Sequence, residues 1–124
     1  MSVPPRKIQL LWAEDDPLLQ IIIEFAFENT PDIILRLYPS GQTLLEAAQQ
    51  DRPDLIFLDV VMPHMDGPTT LARLRDMPSL RAVPVVFVTA ETGKLETQTL
   101  LDLGAAGIIH KPQTSRRKYK PVRP

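Results

Sequence analysis

Five short apolar runs, separated by helix-like segments, predict an α/β fold: a doubly wound, five-stranded parallel sheet with helices on both faces. Runs of this length with little polar alternation suit strands that are buried on both sides. Four of them lead directly into polar groups, namely Glu14-Asp15-Asp16, Asp59, Thr89 and Lys111. In an open parallel sheet such groups gather along one edge, where these folds place their sites.

The first strand spans about Ile8 to Ala13. Asp16-Pro17 supplies an N-cap and a first-turn proline for a helix through about Asn29. Asp32 to Tyr38 reads as the second strand. Ser40 caps a helix containing Leu44, Leu45, Ala47 and Ala48, which stops before Pro53. Leu55 to Asp59, the most uniformly apolar run, is the third strand and the expected centre of the sheet. The loop from Met62 to Gly67 leads to a helix over about Pro68 to Asp76, and Val85 to Thr89 is the fourth strand. A helix from about Lys94 to Leu103 ends at Gly104, and Gly107 to His110 forms the fifth strand. After Pro112 no apolar period follows, so a fifth helix is expected to be absent or atypical. Yet Ile21, Ile22, Ile23, Phe25, Ala26 and Phe27 make the first helix apolar around much of its circumference, which calls for neighbours on more than one side.

With 124 residues, 44% of them hydrophobic, the chain has the size and composition of one soluble domain. It contains no cysteine, which excludes disulfides and thiolate metal sites. No segment has the length of a membrane span or the core of a signal peptide, so no membrane association and a cytoplasmic location are expected. The net charge is −1, but Arg116, Arg117, Lys118, Lys120 and Arg123 crowd the last nine residues. Without those five of the 14 basic residues, nine face 15 acidic ones, a body charge of about −6. Such a body repels nucleic acid, and the tail lacks an accompanying aromatic groove or helix-turn-helix. The expected division is a lead over 1–7, a domain over 8–112 and a basic tail over 113–124.

A carboxylate such as Asp59 at the end of a central strand can be a cap, a metal ligand or a nucleophile. The neighbouring Glu14 and Asp15 favour a site, because carboxylates crowded in one crevice repel each other until a hard divalent cation enters. Mg²⁺ suits few carboxylates, retains waters and bridges to phosphate oxygens. Asp16 reads equally well as the helix cap. Lys111 could bind phosphate as a point charge, or simply be solvated. Thr89 could offer its hydroxyl, or bond its own backbone. Taken together, metal, ammonium, hydroxyl and carboxylate match the needs of phosphoryl transfer to Asp59. His64 and His110 have no partner at metal-ligand spacing and are read as non-catalytic. Trp12, Tyr38 and the phenylalanines are expected in the core.

The acidic cluster, the Leu-Asp-Val-Val-Met-Pro-His-Met-Asp-Gly stretch around Asp59, Val-Thr-Ala at Thr89 and Lys111-Pro112 together resemble the response-regulator receiver domain of two-component signalling, in a single-domain form like the chemotaxis regulators. The resemblance covers residues 8 to 112. It implies a flavodoxin-like strand order 2-1-3-4-5 and a signalling switch that catalyses only its own phosphorylation and dephosphorylation. Asp59 would accept a phosphoryl group from a histidine kinase or phosphotransfer protein. Asp15, Asp59 and the Val61 carbonyl would ligate Mg²⁺, with Glu14 acting through water. Thr89 and Lys111 would bind the phosphoryl oxygens, Val61 and Glu91 would tune its lifetime, and the bond before Pro112 would be cis.

Two departures from the family pattern stand out. Ile108 occupies the usual position of a switch aromatic, and Gln113 stands where an aromatic often follows the Lys-Pro pair. Output is expected through protein contacts, with a phosphorylation-independent pseudo-receiver module as the alternative. A metal-dependent phosphohydrolase fits less well, since Val61 stands where such enzymes carry a second carboxylate. Loss of the fifth helix predicts a homodimer, or a borrowed cover, on the first-helix/fifth-strand face.

Overall fold

The computed structural model describes residues 6–90 and 93–111. In chain order it runs β1 (Ile8–Ala13), α1 (Pro17–Ala26), β2 (Ile33–Tyr38), α2 (Gly41–Asp51), β3 (Leu55–Asp59), α3 (Gly67–Arg75), β4 (Val85–Thr89), α4 (Lys94–Asp102) and β5 (Gly107–His110). All strand pairs are parallel, and the order is β2-β1-β3-β4-β5 with β3 central, as the resemblance implied. Among the described residues four helices are present and none follows β5. Glu91, the bond to Pro112, Gln113 and the basic tail lie outside the described residues.

Local chemistry accounts for the boundaries. Asp16 caps α1 by accepting from the Leu18 and Leu19 amides at 2.9 and 3.4 Å, and Pro17 needs no donor there. The helix ends at Ala26, three residues short of the expected Asn29, because Phe27 already departs from helical geometry. Ser40 caps α2 through the Thr43 amide at 3.1 Å, and Arg52 closes that helix in a left-handed conformation (φ 49°). Asp66 caps α3 through the Thr69 amide at 2.8 Å. Gly104 follows α4 with φ 105°, the left-handed stop its sequence position suggested.

Alternation along each strand divides the core in two. On one face Leu11, Ala13, Ile56, Leu58, Val85 and Phe87 pack with residues of α2, α3 and α4. On the other, Leu10, Trp12 and Val88 meet Ile23 of α1, with Phe27, Leu35 and Phe57 around them. Three helices cover the first face and one covers the second. The Trp12 ring stands edge-on to Phe57 and Phe27, at centroid distances of 4.9 and 6.1 Å. Its buried indole N–H finds no acceptor among the described residues.

The expectation that all four phenylalanines are internal fails at Phe25. This side chain is 74% exposed and points away from the sheet. Ile23 is the buried residue of α1, because only one stripe of a straight helix can face a sheet.

Candidate functional site at the carboxyl edge of the sheet

From β1 the chain moves outward to β2 and then crosses back to β3 on the other side. That reversal opens a crevice beyond the carboxyl ends of β1 and β3. Glu14 and Asp15 leave β1 there, Asp59 ends β3, and Lys111 follows β5. One carboxylate oxygen from each of Glu14, Asp15 and Asp59 lies within 4.8 Å of the others. Lys111 Nζ donates to Asp59 Oδ2 at 2.9 Å and sits 3.2 Å from Glu14 Oε1. The Lys111 backbone N–H donates to the Thr89 carbonyl at 2.8 Å, which ties the lysine to the end of β4.

Thr89 is buried at the same edge. A Val61 backbone N–H bonds the Asp59 carboxylate, while the Val61 side chain is exposed at the mouth of the crevice. Thus Glu14, Asp15, Asp59, Val61, Thr89 and Lys111 share one edge of the sheet, and Asp59, Glu14 and Lys111 are in direct ionic contact. Asp16 turns away into its capping role.

The crevice is short of positive charge. Among the described residues the three carboxylates have one ammonium beside them, Lys111, which pairs with Glu14 and Asp59, and both of these are buried. Burial, followed by the charge of Asp59, raises the Glu14 carboxyl above its ordinary range. Burial likewise raises Asp59, outweighing the lowering effect of the Lys111 hydrogen bond. The Lys111 ammonium is held above its usual value by the hydrogen bond and charge of Asp59, then by Glu14, despite its own burial. Among the described residues, the 3.2 Å ionic contact with Lys111 is the polar contact recorded for Glu14 Oε1. Closely spaced, underneutralised oxygen donors fit a hard divalent cation such as Mg²⁺.

A pH dependence follows. Folded-state carboxyls raised above 3.8 and 4.5 bind protons that the unfolded chain has already released. Their contribution to stability is therefore full below those ordinary values and is lost as pH rises through the raised ones. In chelator, the urea midpoint is expected to fall over that window. Saturating Mg²⁺ should remove the slope, because it holds the carboxylates ionised without repulsion.

Three groups were not singled out from the sequence. Gln20 Nε2 donates to the Glu14 carbonyl at 2.7 Å, so α1 steadies the acidic loop. Asp66 was legible as a cap, standing just before Gly67-Pro68. Gly67 carries no such signal. Its amide donates to the Val60 carbonyl at 2.9 Å, and a Cβ there would lie 2.5 Å from the Asp59 carbonyl and 3.0 Å from the Phe87 ring. Gly67→Ala must therefore displace the backbone that carries Asp59 and Val61. It is expected to cost about 1–3 kcal/mol in a urea melt and to weaken Mg²⁺ binding by about tenfold. Unchanged Mg²⁺ affinity would restrict Gly67 to packing.

An open parallel sheet whose strand order reverses over an acid-rich crevice defines the doubly wound α/β class, whose members bind their ligands at that switch point. The family model described as "Response regulator receiver domain" matches residues 10–122, and the chain belongs to that family. Response regulator PleD of Caulobacter vibrioides is 44% identical over 72 residues, 58% of this chain and 16% of that protein. A protein-glutamate methylesterase/protein-glutamine glutaminase of Trichodesmium erythraeum is 35% identical over 119 residues, 94% of this chain and 33% of its own length. The chain thus spans a third or less of these relatives. Among solved structures, the N-terminal domain of a response regulator receiver protein from Methanoculleus marisnigri superposes with a TM-score of 0.76 at 30% identity, over 86% of this chain and 85% of that one. The receiver family is a signalling switch of two-component systems. Among the described residues no helix is long and apolar enough to cross a membrane.

Proposed function

We propose that this domain switches by accepting a phosphoryl group on Asp59 from a histidine kinase or phosphotransfer protein, with Mg²⁺ held by Asp15, Asp59, the Val61 carbonyl and, through water, Glu14. The observation that carries this reading is the convergence of three carboxylates at the sheet's switch point, two of them, Glu14 and Asp59, paired with the half-buried Lys111. When bound, the cation supplies neutralisation of the phosphoryl oxygens. An Asp59 oxygen attacks phosphorus in line, the O–P bond forms as the donor's N–P bond breaks, and the electron pair leaves with the donor imidazole. Lys111 then exchanges its carboxylate partner for a phosphoryl oxygen, and Thr89 donates its hydroxyl to another.

Val61 flanks the path of hydrolytic water, and Glu91 is proposed to share that role. Output passes to a protein partner in the cytoplasm, and a second copy of the chain is a further partner. Ile108 packs against the core beneath α2, α3 and α4, and its aliphatic side chain supplies no aromatic lever. That favours a readout carried by the Thr89 loop, and together with the lack of a helix after β5 among the described residues it is what speaks for a phosphorylation-independent interaction module.

Incubation with Mg²⁺ and a small acyl phosphate, followed by intact-mass measurement, tests the reading. An acid-labile phosphoryl adduct that requires Mg²⁺ is expected, and its absence would leave the interaction module as the better account.

A further inference from the structure

Gln20 is a polar residue on the sheet-facing stripe of α1. It stands at i, i+3 and i+7 spacing with Ile23 and Phe27, which pack in the core beneath this helix, so the three share one face. A half-buried amide on such a stripe is costly unless it is hydrogen-bonded, and Gln20 Nε2 donates to the Glu14 carbonyl at 2.7 Å. Helix geometry supplies the reach. Side chains lean toward the helix N-terminus, and Gln20 lies in the opening turn, its own N–H donating to the Asp16 carbonyl at 3.0 Å. Leaning back over Asp16, its amide meets the loop that leaves β1.

That loop is tied at successive points. The Glu14 N–H donates to the Tyr38 carbonyl at 2.9 Å, and the Asp16 N–H donates to Glu14 Oε2 at 3.1 Å. Between these two ties lies the peptide that joins Glu14 to Asp15, and Gln20 holds its carbonyl. Asp15 is therefore flanked on both sides by fixed peptides, and they set where its carboxylate stands relative to Glu14 and Asp59. We propose that Gln20 is the positioning residue of the cation site: by fixing the Glu14–Asp15 peptide it keeps the Asp15 carboxylate in the cluster and so sets the affinity for Mg²⁺. The inference rests on the Mg²⁺ site of the function proposed above. A neutral amide suits this task. A lysine or arginine here could also donate to the carbonyl, but its charge would offset the negative potential that attracts a divalent cation.

Gln20→Met tests it, since methionine keeps the length and the helix propensity but carries no donor. In calorimetric titration the variant is expected to bind Mg²⁺ about tenfold more weakly, as when a ligand loses the group that orients it. In chelator, hydrogen exchange at the Glu14 and Asp16 amides should quicken about fivefold or more, while amides within β3 and β4 keep their rates. Gln42→Met, the same change at an exposed glutamine that bonds Glu46, should alter neither measurement. Unchanged Mg²⁺ affinity in Gln20→Met overturns the proposal, as does weaker binding with unchanged exchange at both amides. Exchange that quickens throughout the sheet would reduce Gln20 to general stability and overturn it too. A wild-type chain that binds no Mg²⁺ takes this inference down together with the Mg²⁺ dependence of the proposed function. If Gln20→Met shows the expected losses but wild type forms no adduct with acyl phosphate, the phosphoryl reading fails and this one stands.

Discussion

Asp59→Asn is expected to abolish the acid-labile adduct, lowering phosphoryl incorporation by at least about a hundredfold. The amide keeps the shape of the carboxylate but is not a nucleophile at neutral pH. The fold should survive, because the substitution removes a buried anion whose ionisation is already disfavoured by burial. Lys111 keeps its 3.2 Å contact with Glu14 in the variant. The pH slope of stability in chelator should flatten, since one of the two raised carboxyls is gone. Intact mass and urea melts at several pH values read both effects on one sample. An undiminished adduct in the variant would move the acceptor away from Asp59.

Lys111→Met carries the second large effect, on stability and chemistry together. Among the described residues, Lys111 is the cation in ionic contact with Glu14 and Asp59. Removing it leaves two buried carboxylates facing each other and Asp15. In chelator at neutral pH the cost should be about 3–5 kcal/mol, the range for a buried pair that loses one partner. The sign with pH is fixed by the same linkage. The gap from wild type should shrink toward pH 4, where protonation relieves the repulsion, and widen as pH rises through the raised carboxyl values. Mg²⁺ should recover much of the lost stability but not the phosphorylation rate, expected to fall about tenfold or more because the developing phosphoryl charge loses its ammonium. Denaturation at about pH 4.5 and pH 7.5 decides the matter: an equal gap at both would show that lost packing, not charge, is responsible.

Much of this site was legible because its residues terminate apolar runs. A run of buried strand residues marks its own end when the next residue is charged, and five parallel strands deliver those ends to one edge. Glu14, Asp15, Asp59, Thr89 and Lys111 could therefore be named before any contact was known. Gly67 could not, since its constraint is a 2.5 Å approach to a backbone atom eight residues earlier. Gln20 was equally silent, because a polar residue on a helix gives no sign that it reaches the Glu14 carbonyl.

The first helix divides the two kinds of information most sharply. Its apolar period, the Asp16-Pro17 cap and the excess of large side chains were all readable, and so was the expectation of more than one neighbour. Which stripe would meet the sheet was not. That depends on how α1 packs against β1, β2 and β3, where Ile23 meets Trp12, Leu35 and Phe57. Local pattern was enough for the alternation of elements, the helix caps and the set of groups at the sheet edge, since each depends on neighbours a few residues away. Long-range packing had to settle that Lys111 joins Glu14 to Asp59, that Ile23 is buried while Phe25 is not, and that a backbone contact excludes any side chain at Gly67. Those outcomes depend on distances between segments far apart in the chain, where no local pattern carries the signal.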